Sequence, residues 1–180
     1  MGLTIADNYY LKAKGAMSGW CSDWEEVCEA LNYALSYDEN HCASLCLLGE
    51  IYDKHLSMPE KAFECFDKVI AIDTYYKEVY VVYITALIQN NQLDRATKLI
   101  AFAINIQHIV KAEIYRLSSC IEEIKGNYNI CIRSLKKAKK HCYNDDDFYF
   151  LIEEEKRIKK KKALDKPKKK KKKSKKKKKK

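Results

Sequence analysis

The feature that most constrains this chain is a repeat of small-then-large residues at a period of 34 to 35. Val27 with Leu31 and Ala34 is its first copy, and Ala62 with Phe66 and Val69 its second. Ala96 with Ile100 and Ala103 follows, then Cys131 with Leu135 and Ala138, so the leading residues stand 35, 34 and 35 apart. Within each copy the spacing is helical, which puts the three residues on one buried stripe. A period this regular means stacked supersecondary units, none of which can bury its apolar face alone. The stretch Pro59–Asp73 shows the unit most clearly. Ala62 lets a neighbouring helix come close, Phe66 fills the gap one turn on, and Asp73 marks the exit.

A second helix precedes each copy. Before the second copy it reads Leu45-x-x-Leu48-Gly49-x-x-Tyr52, where Gly49 allows close packing and Tyr52 plugs the pair. The turn at Ser57-Met58-Pro59 starts the next helix, with Pro59 at a tolerated early position. Tyr80, Tyr83, Ile84 and Leu87 take the equivalent places in the third unit, with a turn at Asn90-Asn91. Ile114, Leu117, Ser118 and Ile121 take them in the fourth, with a turn at Lys125-Gly126-Asn127. Leu11 and Gly15 fit the first unit, and Ser22-Asp23 supplies a turn and an N-cap before Trp24. After the fourth unit, Asp145-Asp146-Asp147 caps a further helix rich in aromatics, Phe148 to Glu155, suited to cover the open apolar end of the stack.

Leu45, Leu48, Gly49, Tyr52, Ala62 and Phe66 stand where the W-x-x-L-G-x-x-Y…A-x-x-x-F motif of the tetratricopeptide repeat (TPR) family places them. Over roughly residues 8–145 the chain resembles that family, and in texture its small cytosolic bacterial members. It departs from the pattern by one-residue turn insertions in the second and fourth copies and by lacking repeat-end prolines. The expected fold is all-α: a right-handed solenoid of four TPR-like helix-turn-helix repeats, a C-terminal capping helix and a disordered tail. The repeats are placed at about 8–41, 42–76, 77–110 and 111–145, the cap at 146–158, and a disordered poly-lysine tail at 159–180.

Charge divides along the same line. Of 35 Lys and Arg and 25 Asp and Glu in the 180 residues, the last 25 hold nineteen bases and one acid. The remainder holds sixteen bases and twenty-four acids, so an acidic body carries a basic tail. The tail, with Lys168, Lys169, Lys170, Lys171, Lys172 and Lys173 as its candidate polyanion contacts, lacks interleaved arginine and aromatics. Any nucleic acid it touched would be bound weakly and without sequence preference. The first residues lack the apolar core and cleavage site of a secretion signal, and no apolar run reaches eighteen residues, so the expected location is cytoplasmic with no membrane span. The eight cysteines fall mostly within helical patterns and read as reduced, small apolar residues.

No catalytic constellation stands out. His41, His55, His108 and His141 fall at repeat ends or turns and read as solvated. His41-Cys42-x-x-x-Cys46 and His141-Cys142 lack the second close pair that a zinc site needs. The expectation is a non-catalytic chain without cofactor or metal.

In TPR-like arrays the first helices of successive repeats line a concave groove that holds a peptide, and the resemblance transfers that role to specific positions. They are Tyr9 and Lys12, then Leu47, Glu50 and Asp53, then Glu78, Val82, Thr85 and Gln89, then Tyr115, Arg116, Ser119 and Glu122. The mixed apolar and acidic lining suits a peptide with a few apolar anchors and basic flanks. Some TPR proteins clamp a chain-terminal carboxylate with a Lys-Asn-Asn-Lys-Arg set. Lys12 fits the first place, but Ala16, Leu47, Glu78 and Val82 stand in the others and make that role unlike this chain. The expected function is a protein-protein interaction module or scaffold. A nucleic-acid- or ribosome-associated protein acting through its tail, and an accessory subunit of an enzyme complex, are the alternatives. Four repeats exceed the usual minimum of about three, so a monomer is expected.

Overall fold

The computed structural model describes residues 2–18 and 23–165. Trp20, Ser22 and the lysine run, including Lys168–Lys173, lie outside the described residues, and so does the disorder expected of 166–180. Among the described residues there are nine helices: α1 (Ile5–Met17), α2 (Trp24–Tyr37), α3 (Cys42–Lys54), α4 (Pro59–Ile72), α5 (Glu78–Gln89), α6 (Leu93–Ala103), α7 (Lys111–Ile124), α8 (Tyr128–Lys140) and α9 (Asp145–Leu164). They pair as α1–α2, α3–α4, α5–α6 and α7–α8, with α9 on α8. The first helices of the pairs touch in series, α1 to α3 to α5 to α7, while each second helix packs on the first helix of the next pair. One layer of odd-numbered helices therefore forms a continuous face, as in a helical solenoid.

All twelve signature residues are buried, from Val27 to Ala138. Ile70, at the edge of the second stripe, is half-buried. Gly49 shows why the second unit is the most legible. A Cβ built there would lie 2.6 Å from Phe66 Cε1, so α3 and α4 meet where only glycine leaves room for the ring. Tyr83 of α5 continues the contact, its ring centroid 5.1 Å from that of Phe66. Its hydroxyl donates to Asp67 Oδ1 (2.6 Å) and accepts from Arg95 Nη2 (2.6 Å), which ties α4, α5 and α6 together. Burial, with the Asp67 carboxylate beside it, pushes the Tyr83 phenol well above its ordinary value.

Turn chemistry fixes the pair geometry. Pro59 opens α4 where its missing N–H costs nothing. Asn91 (φ 57°) and Gly126 (φ 75°) take left-handed conformations after α5 and α7. Asp23 caps α2 by accepting from Glu26 N at 3.0 Å.

Three details differ from the sequence expectation. The first repeat begins at Ile5 rather than at residue 8, because Thr4 and Asp7 form a reciprocal capping box: Asp7 N donates to Thr4 Oγ1 (3.0 Å) and Thr4 N to Asp7 Oδ2 (2.8 Å). The cap of α9 is Asn144, whose Oδ1 accepts from Asp147 N at 2.7 Å, and Asp145–Asp147 occupy the first turn. Helix α9 also runs to Leu164, six residues beyond the cap placed at 146–158. Its lysines have local partners: Lys159 pairs with Glu155 at 2.6 Å, Lys161 with Glu123, and Lys162 Nζ donates to Asn129 Oδ1 at 2.5 Å. Cations at a helix C-terminus also suit its dipole.

Candidate functional site

On the odd-helix face lies a cleft of about 430 Å³ bounded by α1, α3, α5 and the segment 108–110. Leu47, 9 % exposed and packed among Ala13, Val27 and Ile51, forms part of its floor. Val81 and Val82 form one wall and Ile109 and Val110 another. Glu50, held by Lys54, and Glu78, 4.0 Å from Lys77, place two carboxylates at the cleft. Lys14, its Nζ 5.6 Å from the Tyr10 ring centroid, and Lys77 add two ammonium groups. An apolar floor rimmed by charges of both signs can hold an extended segment, with apolar side chains buried and charged ones at the rim.

Of the residues expected in the groove, Leu47, Glu50, Glu78 and Val82 come together here. Tyr9 does not. It stacks on Tyr33 and Tyr37 of α2, with centroids 5.3 and 5.8 Å apart. Lys12 pairs with Glu26 of α2 at 3.3 Å. On α1 the buried stripe runs through Ala6 and Ala13, and Tyr9 and Tyr10 flank it on opposite sides, about 100° apart, with Tyr9 on the side of α2. Asp53 accepts from Asn90 Nδ2 (3.0 Å), Thr85 donates to its own helix at Val81 O (2.7 Å), and Gln89 is exposed beyond the cleft.

The α7 set is also placed elsewhere. Tyr115 stacks on His141 (5.6 Å), Ser119 is buried and donates to Arg116 O (2.6 Å), and Glu122 accepts from Asn127 Nδ2 (3.0 Å). Arg116 is paired with Glu113 and lines a smaller cleft, about 150 Å³, against Phe150 and Leu151 of α9. Sequence reasoning missed Tyr10, Lys14, Lys77 and the segment 108–110. The apolar pair Ile109-Val110 before a helix start was the available signal.

His41 and His141 are half-buried and held by neighbours, while His55 and His108 are exposed, as expected of solvated residues. His55 lies 4.0 Å from Trp24 and His141 stacks on Tyr115. His41 Nδ1 is 2.7 Å from Ser44 Oγ and its Nε2 is 3.1 Å from Asp7 Oδ1. These are the residue types of a hydrolytic triad, yet Ser44 is 0 % exposed, so no acyl group reaches its hydroxyl. The three residues bind the start of α1 to the start of α3. Replacing His41 by alanine removes both hydrogen bonds and strands the buried hydroxyl, at an expected cost of about 1–2 kcal/mol. Urea unfolding of the full chain measures it.

Tyr75 is exposed, unlike the buried Tyr80 and Tyr83. Burial pushes the Cys46 thiol up to about 12 and that of Cys131 to about 11, with Cys42, Cys65 and Cys120 moved the same way. Such thiols are protonated at neutral pH and are poor nucleophiles. Among the described residues no group of three or more His, Cys, Asp or Glu could hold a metal ion, and no helix is long and apolar enough to cross a membrane.

No family model and no curated protein sequence matches this chain. Solved structures do. MamA is 21 % identical with a TM-score of 0.67, over 91 % of this chain and 88 % of that one. A second MamA structure gives 18 % and 0.63, over 91 % and 96 %. PilW, a widely conserved type IV pilus biogenesis factor, gives 14 % and 0.70, over 85 % of this chain and 70 % of that one. MamA and PilW are TPR-like helical repeat proteins. At these identities the likeness is one of fold, and with the repeat register and nine helices described above it makes this chain a TPR-like helical solenoid.

Proposed function

We propose that the chain is a non-catalytic interaction scaffold and that the cleft between α1, α3 and α5 holds an extended segment of a partner protein. The observation that carries this reading is the half-buried apolar wall of Val81 and Val82 beside Leu47, rimmed by Glu50, Glu78, Lys14 and Lys77. The TPR-like fold of the chain, in which such a face engages protein partners, supports it. Because acids and bases alternate at the rim, the partner segment has apolar anchors flanked by charges of both signs, not by basic residues alone. The same mixture, with Glu78 and Val82 where an anion clamp needs donors, argues against a terminal carboxylate as ligand. In this reading the protein acts in the cytoplasm as a monomer.

The test is a random peptide library selected on the full chain, followed by affinity measurement of the selected peptides. Val82→Arg puts a long charged side chain into the cleft from a half-buried position and is expected to weaken binding at least about tenfold. Asn32→Arg, on the exposed face of α2, is expected to change it less than about twofold. Peptides that bind both variants as they bind the parent contradict the assignment.

A further inference from the structure

A second groove, of about 500 Å³, lies at the other end of the molecule between α8 and α9. Arg133 and Lys136 line it from α8, Lys159 and Lys162 from α9, with Asn129 and Ile132 between them. All of its charged lining residues are cationic. Helix α8 carries five bases and no acid. Glu155, beside the groove, is buried and already shared by Lys139 (2.5 Å) and Lys159 (2.6 Å). Lys162 reaches only the neutral Asn129 amide, and Arg133 and Lys136 have no acidic partner among the described residues.

We propose that this groove is a binding surface for the phosphate backbone of a double-helical nucleic acid. Arg133 with Lys136, and Lys159 with Lys162, are each three residues apart and on one helix face, so each pair spans roughly 4.5 Å along its axis. The two facing rows can neutralise several phosphates, of which each strand of a duplex carries one for every roughly 3.4 Å of helix axis. No aromatic residue lines the groove, so unstacked bases of a single strand find no platform. The concavity between the two rows matches the convex backbone of a duplex better than a flat lipid surface. Contacts of these cations to phosphate carry no sequence information, so binding through them is independent of sequence and steeply dependent on salt. The lysine run that follows α9 in the sequence continues the same chemistry.

Fluorescence anisotropy with labelled mixed-sequence duplexes tests this on the full chain. The double variant Arg133→Glu/Lys136→Glu is expected to weaken binding at least about tenfold at low salt. It should also lower the slope of log affinity against log salt by about 2, at about 0.9 for each phosphate left without its cation. Lys61→Glu/Lys98→Glu carries the same charge change on α4 and α6 and is expected to cost less than about threefold. Arg133→Gln/Lys136→Gln, which adds no repulsion, should lose the same part of the slope and serves if the reversal misfolds by circular dichroism. An unchanged affinity and slope in both α8 variants would assign all binding to the lysine run and overturn the proposal. Equal losses in the α8 and control variants, or loss of binding to phosphatidylserine vesicles with duplex binding intact, would overturn it as well.

Discussion

Replacing Gly49 by alanine is expected to destabilise the protein by about 2 kcal/mol, although alanine is the better helix former by about 1 kcal/mol. The sign is set by Phe66. An alanine Cβ would come within 2.6 Å of Cε1 and 2.9 Å of Cζ, and that ring is 1 % exposed, held between α3, α4 and Tyr83. It has no solvent side into which to swing. Phe66→Ala removes the ring and is expected to cost about 3–5 kcal/mol. With Phe66→Ala in place, alanine at position 49 no longer meets the ring and fills part of the cavity. The double variant should therefore be clearly more stable than the sum of the two losses predicts, because the sites share one contact. For a chain of this size 1 kcal/mol moves Tm by about 2–4 °C, so thermal unfolding resolves each step. Simple additivity would mean that Gly49 is not there to admit the ring.

The second large effect lies in the cap. Glu155 is 5 % exposed and holds Lys139 of α8 and Lys159 of its own helix, while Glu123 of α7 takes the Arg157 guanidinium through two hydrogen bonds of 2.6 Å. Glu155→Ala leaves Lys139, itself only partly exposed, without its counter-ion and opens a void beside Leu151 and Ile158. The expected cost is about 2–3 kcal/mol, below that of a fully buried pair because Lys159 can turn to water. The same pairs set the acid response. Hydrogen bonds from Arg157 hold the Glu123 carboxyl below its usual 4.5 against the opposing effect of burial. For Glu155 burial acts upward, but Lys139 and Lys159 outweigh it and the net shift is also downward. A carboxylate whose folded value is depressed adds stability that is complete above its unfolded value and is lost as pH falls through the folded one. Stability should thus hold above about 4.5 and fall below it, and Glu155→Gln should flatten that fall. Urea midpoints across this range, read on the full chain, show whether it does.

The repeat was legible because a period of 34 to 35 fixes which face of every helix is inward without needing to know the neighbour. That is why the signature residues, including Cys131, are all buried where the pattern put them. The groove was legible only where one helix has a single free face. Helices α3 and α5 sit between neighbours on both sides, and Leu47, Glu50, Glu78 and Val82 followed from register. Helix α1 has a neighbour on one side only, and its adjacent aromatics Tyr9 and Tyr10 offered two registers; stacking on Tyr33 decided between them. On α7 the segment ending at Val110 lies between the two clefts and lines both, so Arg116 faces α9 instead of the main groove. The His41 tie joins residues 34 positions apart, and no local pattern announces such a contact. The extension of α9 was readable in principle from the four-residue spacing of Glu155 and Lys159, but the lysine composition of the following residues masked it.

The measurement that bears most directly on the account is hydrogen exchange on the full chain, with and without a peptide selected from a random library on it. The account predicts new protection on α1, α3 and α5 and at 108–110, the elements that enclose the cleft, and none on the outward face of α2 or on α6. Protection confined to α2, α4 or α6, with α3 and α5 unchanged, would contradict it.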